Sequence, residues 1–169
     1  ADGVVSARRL DDGNQIWEKR LKPKNKAERV ASLKGAGIAE FNKKIYATTG
    51  FGSVFCLDMK TGKQIWRQDM DVPLRIAPTI NAGRVLVQSF DNTLSALDAE
   101  SGEVLWKNQT DYENTTLVGG ASPAYRPEMD VVIAAFSNGE LRAFTASTGT
   151  PLWADLLVSH KRTNPLASI

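Results

Sequence analysis

The sequence predicts an all-β protein, a β-propeller of four-stranded antiparallel blades, from three observations: a recurring Gly-x-x-x-Trp phrase, short β-rich runs between its copies, and turn residues joining those runs. The phrases are VVSARRLDDGNQIW (4–17), SVFCLDMKTGKQIW (53–66), TLSALDAESGEVLW (93–106) and ELRAFTASTGTPLW (140–153). Their Trp residues, Trp17, Trp66, Trp106 and Trp153, lie 49, 40 and 47 positions apart. Repeats of roughly 40–50 residues made of short strands are the mark of propeller blades.

Taken in order along one repeat, the runs Gly37-Ile38-Ala39, Ile76–Ile80 and Ala121–Ala124 are expected as first strands. Second strands follow at Lys44–Thr48, Arg84–Gln88 and Val131–Ala135. Each meets the third strand through Gly50-Phe51-Gly52, Asp91-Asn92 or Ser137-Asn138-Gly139, residues that accept the positive φ of tight hairpins. The third and fourth strands are joined at Asp58–Gly62 and Asp98–Gly102. There Asp can bond the backbone two residues on, and Gly62 or Gly102 takes a left-handed position; Gly13 and Gly149 hold the same place in the outer repeats. Arg9 and Thr145 replace Asp58 and Asp98 there, so the sequence predicts weaker turns in the first and last repeats. The Trp falls on the fourth strand, where each ring can bury ~150–250 Å², worth roughly 4–6 kcal/mol, as packing between blades. No stretch sustains an i, i+3, i+4, i+7 pattern, which argues against helices.

On this reading residues 1–22 end a blade, 33–70, 74–110 and 117–158 are blades, and 162–169 open another. The chain is thus expected to start and stop within blades, leaving sheet edges that invite pairing with another chain, including a second copy of itself.

Composition narrows function. The chain has 169 residues, 42% hydrophobic and 24% charged, with a net charge of +2 that does not point to nucleic acid. One Cys, Cys56, allows no internal disulfide and is expected as a buried small residue aligned with Ala7, Ala96 and Ala143; one His, His160, rules out a His/Cys zinc site within the chain. The basic run Lys19, Arg20, Lys22, Lys24, Lys26 and Arg29 is opposed by Glu18 and Glu28, and reads as a solvated loop or an anionic contact. Asn108-Gln109-Thr110 and Asn114-Thr115-Thr116 match a glycosylation triplet of low specificity.

The phrase Ala96–Trp106 resembles the repeat of quinoprotein-type propellers, A-L-D-A-x-T-G-x-x-x-W. Within that superfamily Val72–Thr79, Gly120–Pro123, Ala135–Leu141 and Arg162–Leu166 resemble the BamB family, lipoprotein subunits of the outer-membrane β-barrel assembly machinery, in its alphaproteobacterial form. The resemblance implies an eight-bladed periplasmic propeller of a Gram-negative bacterium, tethered to the outer membrane by a lipidated Cys that this sequence lacks. It implies no catalysis and no cofactor, and a scaffold role on the periplasmic (POTRA) domains of BamA, with unfolded outer-membrane proteins as further partners. The family's Leu-Arg contact pair matches Leu74-Arg75, with Val72 as a second apolar contact. Arg162 and Asn164 belong either to the same face or to a plain loop. The residues themselves agree with a contact role, because an exposed Leu beside an Arg after Pro73 has the composition of a small interface anchor. The opposite arrangement, Leu74 tucked under the propeller face, stays open.

Two other functions remain. A dehydrogenase using pyrroloquinoline quinone and Ca²⁺ would need converging oxygen ligands and a carboxylate base, whereas Asp58 and Asp98 are accounted for by their turns. Such enzymes also commonly carry an adjacent Cys-Cys disulfide, which a single Cys cannot form. A propeller that binds another protein or a saccharide is the third reading.

Overall fold

A computed structural model of the protein describes residues 3–24, 36–74, 76–111 and 120–156. These residues form 14 strands and one short 3₁₀ turn, Pro127–Met129. Strands β1 (Val4–Arg8) and β2 (Gln15–Arg20) make a two-stranded hairpin. Three four-stranded antiparallel meanders follow: β3 (Ala36–Phe41), β4 (Lys44–Thr49), β5 (Ser53–Asp58) and β6 (Gln64–Asp69); β7 (Thr79–Asn81), β8 (Arg84–Gln88), β9 (Thr93–Asp98) and β10 (Val104–Gln109); β11 (Ala124–Arg126), β12 (Val131–Ala135), β13 (Glu140–Thr145) and β14 (Pro151–Leu156). This is the blade arrangement of a β-propeller.

The first strands differ from the sequence expectation. β7 starts at Thr79 rather than at Ile76, and β11 at Ala124 rather than at Ala121. In both cases the strand begins directly after a proline, Pro78 or Pro123, which has no N–H to give to a ladder. The proposed opening strand at 162–169 lies outside the described residues.

Each pair of sheets encloses its own core. Leu21, Ala47, Phe55 and Leu57 pack with Val5 and Trp17 between the first hairpin and the second sheet. Tyr46, Val54, Cys56, Trp66, Leu74, Val85, Val87 and Leu97 lie between the second and third sheets. Leu86, Leu94, Ala96, Val132, Phe136 and Phe144 lie between the third and fourth. Neighbouring residues of one strand, such as Leu86 and Val87, therefore serve opposite cores. That is why the middle strands read as unbroken apolar runs instead of alternating ones.

The phrase builds the joints. The Trp17 indole N–H donates to the Met59 carbonyl at 2.9 Å, Trp66 to Ala99 at 3.1 Å and Trp106 to Ala146 at 2.9 Å. Each acceptor lies three residues before the Gly of the next repeat's turn, and the ring lies on that Gly. A Cβ at Gly62, Gly102 or Gly149 would fall 2.6, 2.7 and 2.7 Å from ring atoms of Trp17, Trp66 and Trp106. Opposite each Trp in the sheet stands a small residue, Ala7, Cys56, Ala96 or Ala143, as the alignment of the repeats requires. Trp66 is 8% exposed and Trp153, at the outer edge of the last sheet, 46%.

The four turns share a backbone closure and differ in their side-chain caps. Asp58 accepts from the Thr61 N–H at 2.8 Å, and Asp98 from the Ser101 N–H at 2.7 Å. Arg9 and Thr145 carry no carboxylate for this, and the bonds from the Asn14 N–H to Asp12 at 2.9 Å and from the Thr150 N–H to Thr148 at 3.3 Å match those that Thr61 and Ser101 also accept in the inner turns. The backbone bonds Gly13 N–H to Arg9, Gly62 to Asp58, Gly102 to Asp98 and Gly149 to Thr145 span only 2.7–3.1 Å. In the first repeat the Asp12 N–H, which matches that of Thr61, donates instead to the Asp11 carboxylate at 3.0 Å.

Candidate functional site

The segment linking β6 to β7 carries the sequence-predicted contact residues, and the backbone fixes it from both sides. The Met70 N–H donates to the Gly52 carbonyl at 2.7 Å and the Leu74 N–H to Thr49 at 3.1 Å, both at the β4–β5 turn. From the next blade, the Phe90 N–H donates to the Pro73 carbonyl at 2.9 Å, and Leu74 forms a bridge with Ser89 at the β8–β9 turn. The segment is thus laced to the turns of two blades on one side of the propeller, with Asp71 exposed and Val72 and Pro73 half-buried.

Leu74 is 0% exposed and packs in the core shared by the second and third sheets. The expectation of an exposed Leu beside Arg75 is corrected for this residue, because its bridge to Ser89 turns the side chain inward. Of the other predicted contacts, Val72 is half-buried beside Gly52, where a Cβ would meet its carbonyl oxygen at 2.9 Å. Arg75, Arg162 and Asn164 lie outside the described residues.

Sequence reasoning missed the polar groups that hold the turns on this side. Asp69 accepts from the Ser53 hydroxyl at 2.7 Å and from Arg67 Nε at 2.6 Å, with Lys24 Nζ 3.6 Å from its second oxygen. Burial works to raise the Asp69 pKa, but the Ser53 bond and the Arg67 and Lys24 charges outweigh it and hold the carboxyl below its usual value. Arg67 also donates to the Lys22 carbonyl at 3.1 Å and stands 5.2 Å over the Phe55 ring. Of the basic run, Lys22 through its carbonyl and Lys24 through its ammonium thus tie to the neighbouring blade; Lys26 and Arg29 lie outside the described residues. One blade on, Asn92 takes φ 59° where the matching residues are Gly52 and Gly139, with φ 82° and 84°. Its side chain accepts from the Ser137 hydroxyl at 2.8 Å and donates to the Asp111 carbonyl at 3.0 Å, joining two blades. An Asn at a turn position otherwise held by Gly was the available signal for this latch.

Burial pushes the Cys56 thiol up to about 11, so it stays protonated at neutral pH, and raises the Tyr46 hydroxyl as well. Among the described residues no three His, Cys, Asp or Glu side chains converge as metal ligands. No helix among the described residues is long and apolar enough to cross a membrane.

Four-stranded blades locked by Trp-on-Gly joints, with a laced loop between turns, define a propeller of the PQQ-like repeat class. Residues 1–169 match the family model described as outer membrane protein assembly factor BamB, and the chain belongs to that family. It is 30% identical over 152 residues to the outer membrane protein assembly factor BamB of Bordetella pertussis, covering 90% of this chain and 36% of that protein. The crystal structure of BamB from Moraxella catarrhalis superposes with a TM-score of 0.72 at 23% identity, covering 91% of this chain and 42% of that one. A quinohemoprotein alcohol dehydrogenase from Pseudomonas putida shares the fold, with a TM-score of 0.70 at 20% identity over 92% of this chain and 33% of the enzyme. The chain spans little more than a third of the length of the curated relatives it matches.

Proposed function

We propose that this chain is a non-catalytic periplasmic scaffold at the outer membrane, one that binds the periplasmic (POTRA) domains of BamA and assists folding and insertion of outer-membrane β-barrel proteins. Membership of the BamB family over the whole chain supports the assembly role. The observation that carries the contact site is the laced segment Met70–Leu74, because a loop fixed by backbone bonds to two blades loses little freedom on binding. In this arrangement Leu74 anchors the loop from beneath. Val72 and Arg75 supply the apolar and charged contacts, with Arg162 and Asn164 as further candidate contacts.

The test is calorimetric titration of BamA periplasmic domains with this chain and two variants. Val72→Ser/Arg75→Ala is expected to keep the melting temperature while binding weakens by ~1–3 kcal/mol. Leu74→Ala is expected to cost ~2–5 kcal/mol of folding stability through the cavity it leaves. Binding by the double variant at wild-type strength would show that the contact lies elsewhere.

A further inference from the structure

The loop Met70–Leu74 has one support inside its own blade and a second in the next. Within the second sheet, the Met70 N–H reaches the Gly52 carbonyl and the Leu74 N–H that of Thr49. Across the joint, the Phe90 N–H reaches the Pro73 carbonyl at 2.9 Å and Leu74 bridges to Ser89. The second support is therefore the β8–β9 turn, Ser89–Asn92, and the loop is placed no more firmly than that turn. The turn closes through its backbone, from the Asn92 N–H to the Ser89 carbonyl at 3.2 Å, as Gly52 closes on Thr49 at 3.1 Å and Gly139 on Phe136 at 3.0 Å. Closure thus makes no use of the Asn92 side chain.

That side chain is nonetheless committed. In the other repeats the matching residues are Gly3, Gly52 and Gly139, left-handed at φ 63°, 82° and 84°. Glycine adopts this conformation freely, whereas an L-residue does so at a cost. Asn92 accepts the cost at φ 59° and is 2% exposed. Its Oδ1 accepts from the Ser137 hydroxyl at 2.8 Å and from the Ser137 N–H at 3.2 Å, and its Nδ2 donates to the Asp111 carbonyl at 3.0 Å. One side of the β8–β9 turn carries Pro73 and Leu74, and Asn92 ties the other side to the β12–β13 turn.

We propose that Asn92 is a positioning residue for the contact loop: by pinning the β8–β9 turn to Ser137 it holds Pro73 and Leu74, and with them Val72, in the place from which the loop meets its partner. The proposal rests on the reading of Met70–Leu74 as the contact loop. Being buried, Asn92 makes no contact of its own with a partner and acts through its turn neighbours Ser89 and Phe90. The fourth sheet thereby takes part in presenting a loop that leaves the second.

Two measurements on the 169-residue chain test it, each with Asn92→Gly, Ser137→Ala and Gly83→Ala. Gly83 lies in the left-handed β7–β8 turn at the opposite end of β8, so its substitution lowers stability without touching the loop's support. The first measurement is amide hydrogen exchange resolved by residue. In Asn92→Gly the Phe90 and Leu74 amides should exchange ~10-fold faster, the effect of one or two lost hydrogen bonds on a local opening. The Met70 amide, held within the second blade, should keep its rate. Ser137→Ala removes a single bond and should act in the same direction by less. Unchanged protection of Phe90 and Leu74 in Asn92→Gly, or a rise spread evenly over all amides as in Gly83→Ala, would overturn the proposal. The second measurement is calorimetric titration of BamA periplasmic domains. Asn92→Gly should raise the dissociation constant by about 5- to 10-fold, Gly83→Ala should leave it unchanged, and in the Val72→Ser/Arg75→Ala background Asn92→Gly should weaken binding no further. Full-strength binding by Asn92→Gly, or an undiminished loss in that background, would also overturn it. An unaltered chain that does not bind overturns the contact reading and, with it, the purpose assigned to Asn92, whereas the exchange pattern stands or fails by itself.

Discussion

Gly102 carries two constraints at once, a left-handed backbone and a Trp66 ring lying where a side chain would begin. Gly83 carries only the first, with φ 75° and nothing within 4 Å of its would-be Cβ. The two positions separate backbone strain from crowding. Gly83→Ala is expected to cost ~1–2 kcal/mol, the left-handed penalty of an L-residue, and Gly102→Ala ~1–3 kcal/mol more, because the joint must open to admit the methyl. Urea unfolding of the two variants checks this, and equal losses would mean that the ring gives way without cost. At this scale the sequence was legible where residues recur. The Trp and Gly positions, and the small residue at Cys56, repeat with the phrase and carry their roles on the surface of the alignment. Leu74 was not legible, since its burial depends on Thr49 and Ser89, which are distant in sequence and not marked as its partners.

Among elements, turns as well as strands hold the blades in register with one another. Asn92 does so by taking a glycine-like conformation and then spending its amide on Ser137 and Asp111. Asn92→Gly keeps the backbone and deletes the latch, and the expected loss is ~1–3 kcal/mol from the bonds removed. Thermal denaturation should show it, together with faster amide exchange around the β12–β13 turn; a change in stability alone would argue for a purely local effect. Second, third and fourth strands were readable from their apolar runs. The first strands were displaced by a few residues because Pro78 and Pro123 set where a ladder can begin, and periodicity does not register a missing donor. In the first turn a carboxylate cap comes from Asp11, which the alignment with Asp58 does not mark.

For the whole molecule, stability is a sum of blades and joints, each touching only its neighbours. Acid acts on that sum through Asp98, Asp58 and Asp69. Asp98 is held below its usual pKa first by the Ser101 N–H, Asp58 first by the Thr61 hydroxyl, and Asp69 by Ser53 and Arg67 against the effect of burial. A folded-state pKa below the unfolded one means that the unfolded chain binds more protons in acid. The contribution is present above the unfolded carboxylate range and drains away as pH falls through the folded values, from roughly pH 5 downward. Asp58→Asn/Asp98→Asn is therefore expected to be less stable than the unaltered chain at pH 7 and to lose less on acidification to pH 3, measured by denaturant midpoints. Parallel pH curves would show that these turns titrate alike in both states. The joint has one more consequence, which concerns descent. Because every repeat bears a ring for the next and a seat for the last, copying one whole repeat within a gene yields a blade that already fits on both sides. An array built this way can lengthen or shorten by complete units while its individual loops diverge, and new surfaces can arise on a frame that never has to be reinvented.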